Sequence, residues 1–179
     1  MRRRPITVAA AFILVGALIS GVGIYLLEQN KQSLPVPLQM LAGGRLVRVL
    51  GQAMYPALRD NDVVTFDTSA YRDHPPQRGD IVLFAPPNET SRLFVMRVIA
   101  LPNDRLLITK GVVSINDQVL SEPYLAEAWT YSNSWPADGK AVLVLPNQYF
   151  VMGDNRNHSS DSRNFGFVQR DVILGKLLR

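Results

Sequence analysis

A chain of 179 residues with no cysteine and a formal charge of +4 has room for one membrane anchor and one domain with a single core. That size excludes a second enzyme domain, and the missing thiols exclude disulfide frameworks and metal–thiolate sites. The arginines are scattered among apolar runs and turns instead of forming an aromatic-interleaved stripe, which excludes a nucleic-acid interface and suits attraction to anionic lipid headgroups.

In chain order, residues 1–5 form a basic tail with Arg2, Arg3 and Arg4, and 6–27 is a run of 22 residues without a charge. At roughly 1.5 Å per residue this run spans a hydrocarbon core of about 30 Å, so it is expected to be a single transmembrane helix. A cleavable secretory signal is the rival reading, but the apolar part of such a signal is only about 7 to 15 residues and no small-x-small site closes this one. The positive-inside rule places the N-terminus in the cytoplasm and the remainder outside the plasma membrane. Residues 28–44 read as a linker and membrane-proximal segment, polar and proline-containing to Pro37 and apolar from Leu38.

From residue 45 onward, short runs rich in Val, Ile, Leu and Phe recur between turn signals at 46–50, 62–67, 81–85, 93–101, 105–109, 112–115, 141–145, 149–152 and 172–178. They are too short for helices, and the domain 45–179 is expected to be mostly antiparallel β. Asn116-Asp117 marks a tight hairpin turn before Gln118-Val119. Residues 121–140 lack a period and read as a long excursion whose Trp129 and Trp135 serve packing or an interface.

Four segments carry the chemistry. Gly51-Gln-Ala-Met-Tyr-Pro-Ala-Leu58, Arg78-Gly-Asp-Ile-Val-Leu-Phe84, Phe94-Val-Met-Arg-Val-Ile-Ala-Leu-Pro-Asn-Asp104 and the run from Val151 through Gly153-Asp-Asn-Arg-Asn-His-Ser-Ser-Asp-Ser-Arg163 to Val168 follow one another in that order. By composition alone the last is a well-capped surface loop, since Asn, Asp and Gly tolerate left-handed backbone and bond nearby backbone groups. In order and content, however, the four resemble the boxes of the type I signal peptidases, membrane-anchored serine endopeptidases that use a Ser/Lys dyad. The resemblance implies an antiparallel β domain of that kind behind one transmembrane helix, and signal peptides of exported preproteins as partners, at the lipid bilayer. It implies no cofactor and no metal. Asp60, Asp62, Asp104 and Asp154 are dispersed in turns without a metal-ligand spacing.

The resemblance places the nucleophile at position 53 and the general base at position 96, and here these are Ala53 and Met96. A dyad lysine must be neutral at working pH although free lysine titrates near 10.4. Methionine keeps an unbranched chain of similar length and removes that demand, so Met96 is expected to fill the lysine's place as apolar core. Ser159 corresponds to the family's base-supporting serine, and Asp161 and Arg163 to the pair that holds the signature loop. Asp154, Met54 and Pro56 complete the site-structuring set. The backbone N–H of residue 53 remains as an oxyanion donor, while a second donor hydroxyl found in some members falls on Gly51 and is absent. His158 beside Ser159, Ser160 and Asp161 does not make a triad, because neighbours in a loop point in different directions. His74 reads as a solvated turn residue. Lys110 and Lys140 are the nearest substitute bases, and Lys110 sits at a turn where its ammonium stays hydrated.

Three functions follow. A silent homologue, or pseudoenzyme, would bind signal peptides or modulate an active signal peptidase; an active or deliberately silenced signal peptidase I would remove them; a scaffold would do neither. Ser→Ala and Lys→Met are the changes chosen to silence such a dyad. Against an experimental origin stand Ala57, Ala100 and Asn103, where the family has threonine, glycine and glycine, which read as drift in a natural sequence released from catalysis.

Overall fold

The β-branched and aromatic runs become strands in a computed structural model that describes residues 43–87, 92–130 and 135–178. The larger sheet is built from β1 (Gly44–Arg48), β2 (Val63–Asp67), β3 (Ile81–Phe84), β4 (Phe94–Ala100), β9 (Gln148–Met152), β10 (Val168–Gln169) and β11 (Ile173–Leu177). The smaller one holds β5 (Arg105–Thr109), β6 (Val112–Ile115), β7 (Gln118–Val119) and β8 (Val142–Leu143). Their orders are β1-β2-β11-β3-β4-β9-β10 and β7-β6-β5-β8, and every pairing is antiparallel. One short helix, α1 (Ser162–Phe165), and 3-10 turns at Arg156–His158 and Arg170–Val172 interrupt the strands of the described residues.

The mostly antiparallel β expectation holds, strand by strand. Asn116 and Asp117 have φ of 52° and 67°, the left-handed pair a two-residue hairpin turn requires, and the Asn116 side chain accepts from Arg105 N–H at 2.8 Å. Two details differ from the sequence reading. The run 141–145 shortens to Val142–Leu143, with Leu145 half exposed before Pro146; β10 is only two residues long, too short to show a period. The expected anchor at 6–27 lies outside the described residues, among which no helix is long and apolar enough to cross a membrane.

Alternation buries one face of β5 and β6, whereas the central strands β3, β4 and β9 are buried along nearly their whole length. Ile99, Leu106, Ile108, Val113 and Phe150 pack in one cluster, where Trp135 meets Phe167 edge-on at 5.0 Å, so this tryptophan is a packing residue. A second cluster holds Phe84, Met96, Val98, Val151, Val168 and Ile173. A third, of Val49, Met54, Leu58 and Ile81, lies beneath the 51–58 turn.

Buried phenols give the fold a testable alkaline limit. Tyr71 O–H donates to Asp80 Oδ2 at 2.9 Å, and Asp80 also pairs with Lys176 Nζ at 2.7 Å. Burial first, then the charge and hydrogen bond of Asp80, push the Tyr71 phenol well above its ordinary value; burial and Glu122 do the same for Tyr124. A raised folded-state pKa stabilises fully below the unfolded value near 10 and is lost as pH climbs above it. Tyr71→Phe should lower unfolding free energy by about 1.5–3 kcal/mol at pH 7, and its deficit against the unmodified chain should shrink above pH 10 in urea titrations. A deficit that is constant with pH would refute the assignment.

Candidate active site

The loop between β9 and α1 is organised by one carboxylate. Asp161 is fully buried and caps α1 in a capping box, its side chain accepting from Arg163 N–H at 3.2 Å while Asn164 Oδ1 accepts from Asp161 N–H at 3.3 Å. The same carboxylate accepts from Arg163 Nε at 2.8 Å and Nη2 at 2.9 Å, from Gly153 N–H at 3.1 Å and from Ser159 Oγ at 2.8 Å. Arg163 Nη2 also donates to the Arg156 carbonyl at 2.7 Å. A buried pair survives only with such additional hydrogen bonds, because each ion has left water.

Gly153 sets the closeness of the parts. A Cβ there would stand 2.3 Å from Ser159 Oγ and 2.5 Å from the Ala53 carbonyl oxygen, so a side chain cannot fit between them. Asn155 then ties the loop to the other box: its backbone N–H donates to the Ala53 carbonyl at 2.9 Å and its Nδ2 to the Gln52 carbonyl at 3.1 Å. Asp154 grips Arg97 of β4 bidentately, at 2.8 and 2.6 Å. Burial alone would lower the Arg97 guanidinium, but the hydrogen bonds and charge of Asp154 outweigh it and raise it.

Met96 sits on β4 opposite Val82 and is 4% exposed, apolar core as the sequence implied. Its Sδ lies 3.7 Å from Ser159 Oγ. A hydroxyl has one proton, and the charged carboxylate at 2.8 Å is a far better acceptor than a thioether, so Ser159 donates to Asp161. Ala53 is partly buried against the Met96 cluster. Met54 is buried in the cluster below, whereas Pro56 lies exposed in the turn. His158, His74, Lys110 and Lys140 are exposed and none lines the site.

The excursion after β7 contributes groups that sequence reading passed over. Glu122, with a side chain 7% exposed, pairs with Arg156, itself 1% exposed, and accepts from Tyr124 O–H at 2.7 Å. Trp129 is buried under both Arg156 and Arg163, whose guanidinium carbons lie 5.2 and 5.0 Å from its ring. The available signal was Arg156 itself, since an arginine drawn into a packed loop demands a carboxylate from elsewhere.

A groove of about 540 Å³ runs up to Ala53, Met96 and Ser160. Val47, Val49 and Leu50 form one wall and Leu93, Val95 and Met96 the other, with Ala53 and Ser160 also lining it. β1 ends the order of its sheet, so its outer edge has no strand partner among the described residues. No group of three metal-ligating side chains occurs among them either. The lining offers no amine, imidazole or carboxylate among the described residues; it suits an extended chain added to the β1 edge.

The antiparallel sheets, edge groove and pinned loop together define an antiparallel β domain with a groove beside a sheet edge. The family model described as signal peptidase, peptidase S26, matches residues 39–178, and the chain belongs to that family. Probable signal peptidase I-1 of Synechocystis sp. is 34% identical over 163 residues, 83% of this chain and 80% of that protein. Probable signal peptidase I-2 of the same organism is 36% identical over 129 residues, 69% of this chain, and the match spans 56% of its length. A crystal structure of a signal peptidase I from Enterococcus faecalis is similar with a TM-score of 0.50 and 33% identity, covering 58% of this chain and 97% of that one.

Two substitutions probe the site. Asp161→Ala strands the Arg163 charge in the interior and should lower stability by about 3–5 kcal/mol, read as a shifted urea midpoint; a loss below 1 kcal/mol would show that the pair is not structural. Met96→Lys puts an amine where the thioether lies. Holding it neutral through a depression of about three pKa units costs about 4 kcal/mol at pH 7. Its folded-state pKa then lies below the unfolded one, so stability should recover as pH rises from about 7 towards 10.4.

Proposed function

We propose that this chain is a catalytically silent, membrane-anchored homologue of signal peptidase I that binds the signal peptides of exported preproteins without cutting them. The observation that carries this reading is the Met96 thioether beside Ser159 Oγ at 3.7 Å, at the end of an intact apolar groove whose nucleophile position is Ala53. A thioether takes no proton from a nucleophile, and a methyl group cannot attack a carbonyl. Strand addition to the β1 edge needs only backbone N–H and C=O groups with shallow pockets at alternate positions, and both substitutions leave these in place. Residues 1–5 are assigned to the cytoplasm, 6–27 to the span, 28–44 to a membrane-proximal segment and 45–179 to the extracytoplasmic domain. Modulation of an active signal peptidase is the matching cellular role.

A working peptidase silenced at its dyad is the second reading, favoured by the preserved Ser159–Asp161–Arg163 arrangement. Ala100 and Asn103 are accommodated without damage: Ala100 is buried beside the bulge in β4, and Asn103 holds φ of 70°, a left-handed value that asparagine tolerates. Preprotein cleavage by the full chain in detergent and lipid, beside Ala53→Ser, Met96→Lys and the double variant, tests whether the chain is silent; cleavage by the double variant alone is the outcome that both readings expect. The unmodified chain and single variants should release no product, while the double variant should exceed them by about a hundredfold or more. Product from the unmodified chain would overturn the silent reading; a double variant that neither cuts nor binds preprotein would leave a scaffold.

A further inference from the structure

With no cysteine in the chain, its oxidisable sulfurs are the thioethers of five methionines. Met54, Met96 and Met152 belong to the described residues, and all three are buried, at 2%, 4% and 0% exposure. Two features set Met96 apart. It lines the groove, as Met54 does and Met152 does not. Its Sδ also has the Ser159 hydroxyl at 3.7 Å and is the one thioether among the described residues with a hydroxyl in hydrogen-bonding reach. Met54 packs instead among Val49, Leu58 and Ile81, which carry no side-chain donor, and Met152 packs among Ile99, Leu106 and Phe150.

We propose that Met96 is a modification site for peroxide, and that its sulfoxide weakens peptide binding in the groove. The sulfur lone pair takes one oxygen of the peroxide as the O–O bond breaks, and the departing hydroxide takes the proton of the transferred oxygen. The thioether thereby loses two electrons, and the products are sulfoxide and water. A sulfoxide buried without a donor carries the full cost of an unpaired polar group. At Met96 the Ser159 hydroxyl can turn to the new oxygen, because Asp161 keeps four other donors, the amides of Gly153 and Arg163 and the Arg163 guanidinium twice. The same oxygen puts a dipole at the end of an apolar groove, where the apolar side chain of a bound peptide must strip water from it. Loss of binding rests on the peptide-binding reading above, whereas oxidation rests on Met96, Ser159 and the groove alone.

The test treats the full chain in neutral phosphatidylcholine nanodiscs with hydrogen peroxide and follows each methionine by peptide-mapping mass spectrometry. Met96 should gain oxygen about tenfold faster than Met54 and Met152, because susceptibility follows access and the new dipole finds a donor there. Affinity for a fluorescent, end-blocked octapeptide of small apolar residues should fall about tenfold in step with Met96 sulfoxide, as expected for one polar group buried with partial compensation. In Met96→Leu, which keeps the apolar volume, the same treatment should change affinity by less than about twofold whatever its starting value. Saturating octapeptide should slow the oxidation of Met96 in the unmodified chain. Oxidation of Met96 no faster than that of Met54 or Met152, an affinity unmoved by the sulfoxide, or an equal loss in Met96→Leu each overturns the inference and leaves the groove reading standing. A melting transition abolished by oxidation also overturns it, since binding would then be lost with the fold. No octapeptide binding before treatment overturns both.

Discussion

The Asp161 carboxylate is the constraint on which the site depends. Five donors converge on it, from the Gly153 and Arg163 amides, the Arg163 guanidinium twice and the Ser159 hydroxyl. An ion wholly withdrawn from water is tolerable only when its lone pairs are filled and its counter-ion is close. The donors lie in the loop between β9 and α1 and in the first turn of α1, so satisfying one carboxylate dictates the path of the loop. The loop in turn carries Asn155 and Asp154, which hold the Ala53 turn and β4. Arg156 and Arg163 extend the same logic outward, recruiting Glu122 and the Trp129 ring from the excursion.

This dependence explains how an intact signature loop coexists with Ala53 and Met96. The loop residues are retained by folding energetics: removing a partner from a buried pair leaves an uncompensated charge. The two dyad positions carry no such obligation. Methionine at 96 joins an apolar cluster with no charge to desolvate, and alanine at 53 leaves the backbone contacts of that residue untouched. Ser159, which the family resemblance links to the base, has a second attachment in Asp161 and stays ordered without an amine beside it.

Binding and catalysis likewise separate along physical lines. The groove is made by strand edges and aliphatic walls, features of the sheet as a whole; in the proposed reading an extended peptide would recognise them through backbone hydrogen bonds and burial. Chemistry would need two particular side chains at its end. In the proposed reading, two substitutions remove turnover and leave that surface in place.

Much was legible in the residues themselves. Short alternating or continuously apolar runs announced the strands, because each buries one face or both, and Asn116-Asp117 announced a hairpin because few residues accept left-handed backbone twice in succession. The four boxes pointed to positions 53, 96, 159, 161 and 163 through their resemblance to those of the family. Silent in the sequence were the strand order, the Arg97–Asp154 pair 57 positions apart, the Glu122–Arg156 pair, and Gly153 as the point that both Ser159 and the Ala53 carbonyl crowd too closely for a side chain. Local periodicity and turn chemistry are short-range and are written in neighbouring residues. The partner of a buried charge, and the glycine that lets two segments meet, are chosen by desolvation and close packing, which exist only once distant strands have been brought together.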